Sequence, residues 1–551
     1  MTADFSLTAN VVDVFARSIQ PAIISVEAGR IVAIAPIDEA EADPILPYVL
    51  PGFVDAHVHV ESSLLVPTEF ARLAVTHGTV ATVSDPHEIG NVLGVAGVEF
   101  MLENAAHSPF KFCFGAPSCV PATPFETAGA EIMAADIAKL FENPKIGYLA
   151  EMMNWPGVLH RDADVMQKIA LAHAAGRPVD GHAPGLRDND AAHYASAGIS
   201  TDHECFTAAE ALDKLAVGMK ILIREGSAAR NFDALIELLP EHYHHLMFCS
   251  DDKHPDTLVL GHINQLVQRA VALGHDVFSV LRVACVNPVK HYNLPVGLLG
   301  EGDPADFIVV KDLRDFEVLQ TYINGELVAE NGQSLLPATP VAVVNNFHAQ
   351  PVSAADFQLP TSQQQATLRV IECFDGQLIT ARVDLPATIE NGFVVPNVGE
   401  DVLKLAVINR YQAQVAPALA FIRGFGLKHG ALASSVGHDS HNITAVGCDD
   451  ESLARAVNLV IQAKGGLAAV GADGQEILVP LPVAGLMSDQ EGIAVAAAYA
   501  AVDALAKQLG SPLGAPFMTL SFMALLVIPS LKLSDKGLFD GQQFRFVDAV
   551  E

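Results

Sequence analysis

From residue 52 to residue 252 the sequence repeats one unit eight times: a short apolar strand ending in polar residues, then a helix-length segment often stopped by glycine. The strands read GFVDAHVHV, TVATVSDPH, FCFGAPS, IGYLAEM, RPVDGHAP, GISTDHE, MKILIREG and LMFCSDD. Segments between them have helix punctuation: PTEFARLAVTHG opens at Pro67 and closes at Gly78, and DADVMQKIALAHAAG closes at Gly176. Eight βα units in about 200 residues match a closed parallel barrel in count and size. An open doubly wound sheet has no reason to stop at eight. The expected fold is therefore α/β: a (β/α)8 TIM-like barrel over residues 49–296.

At 551 residues the chain is too long for one core, and the texture changes on both sides of the barrel. VVDVFARSI, AIISVEAG and RIVAIAP before it, and ADFIVVKDL and VLQTYINGELVAENG after it, are β-branched runs with turns at Glu27–Arg30 and Asn324–Gly325. Residues 1–48 plus 297–340 are expected to combine into one small flanking β-domain. Beyond them, residues 341–551 turn Gly-rich and apolar, which predicts a separate C-terminal α/β domain.

In such a barrel, side chains at the C-terminal strand ends converge on one face. His57 and His59 alternate with period two on the first strand, so both imidazoles point to one side and can share a metal. Alone, that pair could be ordinary core histidines. The fourth strand adds Glu151, the fifth His182, the sixth His203 and the eighth Asp251 and Asp252. Four imidazoles with several carboxylates on one rim can bind two divalent ions, a carboxylate bridging them. Asp85, His87 and Glu88 end the second strand and are candidates for substrate binding; Asp85 could equally cap the following turn. Only one of Asp251 and Asp252 is expected to face the site, because neighbouring strand residues point oppositely. Arg224 and Glu225 could form a rim ion pair instead of acting as catalytic groups, and are left unassigned. His438, Asp439 and His441 lie in a Gly-flanked loop, which favours a structural or substrate-closing role over a second metal site.

The motifs themselves go further. LPGFVDAHVHVESS resembles the opening motif of the amidohydrolase superfamily, and ESSLLVPTEFARLAVTHGTVATVSDPHEIGNVLG resembles the adenine deaminase family within it. AEMMNWPGV, GHAPGL, MKILIREGSAARN, SDDKHP and the C-terminal GFGLKHGALASSVGHDSHNI and LPVAGLMS are similar to that family as well. Much of the superfamily bridges its metals with a carboxylated lysine at the end of strand four; here Glu151 stands there and the nearest lysine, Lys145, precedes the strand. The resemblance implies two divalent ions per subunit, Mn2+ or Fe2+, held by His57, His59, His182, His203, the bridging Glu151 and Asp251. It also implies hydrolysis of adenine to hypoxanthine, with Asp251 as proton shuttle. The alternatives are a relative that deaminates another amino-heterocycle, or a metal-binding protein without catalysis.

Composition limits the partners. The 64 Asp and Glu against 32 Lys and Arg give a net charge of −32, which repels nucleic acid and anionic membranes. Few cations are left to clamp a phosphate, so a neutral base suits the chain better than a nucleotide. Seven cysteines at dispersed positions and an N-terminus without a signal pattern suggest a reduced, cytoplasmic protein. A homodimer is the base-rate expectation.

Overall fold

The computed structural model describes residues 4–38 and 45–551. Eight short parallel strands form the expected barrel: Phe53–Val58, Thr79–Ser84, Lys111–Ala116, Ile146–Met152, Val179–Gly181, Thr201–Asp202, Lys220–Arg224 and Leu246–Cys249. The ring closes where the first strand meets the eighth. There the Asp251 N–H donates to the His57 carbonyl at 2.9 Å and the His59 N–H donates to the Asp251 carbonyl at 3.3 Å. A buried clasp locks this seam: the Asp55 carboxylate accepts from the Ser250 N–H and hydroxyl and lies 2.8 Å from His262 Nε2.

The barrel strands are buried on both faces, which is why they read as continuous apolar runs and not as alternating ones. Around them, helices such as Pro67–Ala74 and Ala163–Ala174 begin with Pro67 at the first turn or with the Asp162 carboxylate capping two N–H groups. Gly78 and Gly176 follow at φ of 80° and 67°, the left-handed conformation that lets the chain reverse.

A single eight-stranded sheet flanks the barrel and draws on both sides of it. In spatial order its strands are Gln333–Ser334, Glu326–Glu330, Val318–Ile323, Phe307–Val310, Tyr48–Pro51, Phe5–Asp13, Ser18–Glu27 and Arg30–Pro36. Its turns at Ala28–Gly29 and Asn324–Gly325 nest so closely that a Cβ on Gly29 would fall 2.5 Å from the Asn324 carbonyl oxygen.

The C-terminal region holds a second eight-stranded sheet, from Thr380–Pro386 at one edge to Glu476–Pro480 at the other, with the helix Asp450–Ala463 packed on it. Two three-stranded sheets and two more helices, Gly492–Gln508 and Pro516–Phe522, also belong to the region. The first of these helices packs on Pro67–Ala74 and Pro255–Leu258 of the barrel.

Candidate metal centre and its roof

The strand ends bring His57, His59, Glu151, His182, His203 and Asp251 into one buried cluster. Glu151 sits at its centre. One oxygen, Oε2, lies 2.8 Å from His182 Nδ1 and 3.1 Å from His203 Nε2; the other, Oε1, lies 3.3 Å from His59 Nε2. His57 Nε2 and His59 Nε2 are 3.2 Å apart and both face Asp251 Oδ1, at 3.6 and 3.2 Å. His59 turns its Nδ1 toward the Asp85 carbonyl at 3.2 Å, a contact that fixes the tautomer leaving Nε2 free as a ligand. The ring of His57 stacks on that of His203, with centroids 4.1 Å apart.

Several imidazole nitrogens and carboxylate oxygens aimed at common points, all buried, form a donor set that fits divalent cations of the borderline class. The electrostatics agree with a strongly anionic focus. Burial favours the neutral acid of Glu151, but His182 and its neighbours outweigh it and hold the carboxyl well below its usual range. Asp251 is likewise held low against its burial, chiefly by Arg224. Burial raises Asp252, and the charge of Asp251 adds to that.

Two sequence expectations need correction. Asp251 and Asp252 both line the cavity. The regular strand ends at Cys249, and Asp251 adopts φ 53°, so period-two alternation no longer applies. Asp252 accepts a hydrogen bond from the Ser62 hydroxyl at 2.5 Å. Nor do Arg224 and Glu225 form a rim pair. Arg224 turns inward, where its Nη1 donates to both Asp251 and Glu204, while Glu225 turns outward to Arg269, at 3.1 Å. Neighbours on a strand take opposite faces, which separates the two.

Asp85, His87 and Glu88 reach the same rim. Asp85 performs the local turn role, accepting the His87 N–H at 3.0 Å, and also faces His87 Nδ1 at 3.1 Å. His87 Nδ1 is 3.4 Å from Glu151. Glu88 does something no barrel motif announces: its carboxylate pairs with both His438 and His441 of the C-terminal region. The GHDSHN loop is therefore clasped onto the barrel mouth. Leu378, Phe522, Leu525 and Val527 add an apolar roof to the same cavity. Glu204, Arg224 and the roof are site residues that sequence reasoning missed. Glu204 could have been found from its place after His203 at a strand end; the roof has no local signature.

A family model for the amidohydrolase family matches residues 48–328, just over half the chain, so the barrel and its rim cluster make this protein an amidohydrolase. A second model, for the adenine deaminase C-terminal domain, matches residues 377–545. Relatives at full length include an adenine deaminase of Salinibacter ruber, 56% identical over 100% of this chain and 99% of the relative. Adenine deaminases of Sulfurovum sp. and Borreliella burgdorferi are 54% and 49% identical, over 98% and 99% of this chain and 99% of each relative. The chain belongs to the adenine deaminase family.

Proposed function

We propose that this protein hydrolyses adenine to hypoxanthine and ammonia in the cytoplasm, as a homodimer with two divalent ions, Mn2+ or Fe2+, in each subunit. The observation that carries the reading is the shared cavity. The region matched by the adenine deaminase C-terminal model places His438, Asp439 and Phe522 over the same pocket that the barrel lines with its histidines and carboxylates.

In this reading His57 and His59 would hold one ion, His182 and His203 the other, and Glu151 would be the ligand shared between them. When bound, such a pair acidifies water and so provides a hydrolytic nucleophile near neutral pH. Asp251 accepts the proton released as water adds to C6 of the base and delivers it to the ring or the departing amine, so that ammonia leaves. Arg224 keeps Asp251 ionised and oriented for that transfer. Asp85, His87 and Glu88 face the purine. The roof of Leu378 and Phe522 excludes bulk water, which strengthens every charge interaction beneath it.

The test is to incubate metal-loaded protein with adenine, adenosine and AMP, following ammonia and the ultraviolet change. Adenine should react, and the two larger compounds poorly. Faster turnover of adenosine, or reaction only with a pyrimidine or pterin, would overturn the substrate while leaving the metal centre standing.

A further inference from the structure

A second cavity lies next to the first, lined by neighbouring residues of the same segments. It has a volume of about 340 Å³. The loops after strands seven and eight form one wall, and the segment 375–377 with the C-terminal helices Gly492–Gln508 and Pro516–Phe522 forms the other. Four of its polar side chains carry buried atoms without a hydrogen-bond partner: His254 Nδ1, Asp256 Oδ1, Tyr499 Oη and Asp503 Oδ1. His254 and Tyr499 are 4% and 1% exposed, and their rings lie 4.5 Å apart. Leaving such groups unpaired is costly, and several around one cavity mark a place that a polar guest satisfies.

The chemistry of the guest follows from the wall. Two carboxylate oxygens can only accept, the tyrosine hydroxyl can donate or accept, and the imidazole and phenol rings offer flat faces. The volume suits a purine-sized ring with accompanying water. A planar amino-heterocycle matches this set: its exocyclic amine and ring N–H donate to the carboxylates, and a ring nitrogen accepts from Tyr499.

The two cavities share a partition. Gln377, His254 and Thr519 line the second, while Leu378, Asp252 and Phe522, from the same segments, line the catalytic one. We infer that the second cavity is an antechamber that binds a molecule of the amino-purine substrate before it passes the roof into the metal centre. This rests on the deaminase reading and extends it to a second substrate site in each chain.

Equilibrium dialysis of adenine against metal-loaded full-length protein carrying Asp251→Asn, in which turnover is slow, counts the sites. Two adenines per chain are expected, and one when Tyr499→Phe or Asp256→Asn is added. In the otherwise unmodified holoenzyme the same two changes should raise KM for adenine at least threefold, which guards against a folding defect of the Asp251 variant. One adenine per chain in Asp251→Asn, together with a normal KM in both antechamber variants, would overturn the antechamber alone. No adenine bound at all, with no ammonia released by the holoenzyme, would overturn the deaminase reading with it.

Discussion

Glu151 presents one oxygen to His182 and His203 and the other to His59, so its charge is shared across the whole centre. Glu151→Gln replaces one of those oxygens with an NH2 group that cannot serve as a ligand. Metal content measured on the purified variant should fall below two ions per chain, with affinity reduced roughly tenfold or more. Two tightly held ions with a normal rate would remove Glu151 from the centre. Asp251, as the proposed proton shuttle, should behave differently, because such a group acts mainly in the transition state. Asp251→Asn is expected to lower kcat by about a hundredfold or more while KM changes little. If Asp252→Asn shows that defect and Asp251→Asn does not, the two carboxylates exchange roles. At this scale the sequence was informative where the backbone stays extended, as it does from His57 on the first strand to His59 one residue past its end. It failed at Asp251 and Asp252, where the backbone leaves the strand and spacing no longer reports direction.

The elements differ in how far their roles could be read. Barrel strands announced themselves through apolar runs ending in polar residues, but the helix Pro516–Phe522 looks like any buried helix, and its place over the site depends on contacts distant in sequence. One of those contacts is testable. Lys532 is fully buried and donates to the carbonyls of Leu378 and Phe522, at 2.6 and 2.9 Å, pinning two roof residues together. Burial lowers this lysine to about 7, against about 10.4 in an unfolded chain. Between those values the unfolded state carries the proton and the folded state does not, so stability from this group rises with pH across that window. The folded protein bears the full cost of charging Lys532 below about pH 7. Urea unfolding at several pH values should show that Lys532→Met removes this rise between pH 7 and 10, and that the roof loosens enough to raise KM. An unchanged difference between variant and wild type across the window would mean that Lys532 keeps an ordinary pKa in the fold.

At the scale of the whole molecule, the proposed metal centre draws its ligands from the ends of strands one, four, five, six and eight, so loss of metal should be felt beyond the active site. Chelation is expected to abolish turnover and lower Tm. Each site held at a hundred times its dissociation constant contributes about 2.7 kcal/mol of stability. Manganese or ferrous iron should restore both properties, and full activity in a demonstrably metal-free sample would refute the mechanism. No helix among the described residues is long and apolar enough to cross a membrane, and all seven cysteines are free. The flanking sheet was legible in its β-branched texture, but the one junction that joins its two halves, Tyr48–Pro51 against Phe307–Val310, was not, because the pairing partners lie far apart in the chain. That junction has a cost during synthesis. Tyr48–Pro51 takes Phe307–Val310 as its antiparallel neighbour, so on the ribosome one side of it stays bare while about 250 further residues are made. At about 5–20 residues per second that is roughly 13–50 s with an open β-edge. Nascent chains released before residue 307 should therefore aggregate through this edge instead of yielding a smaller soluble barrel.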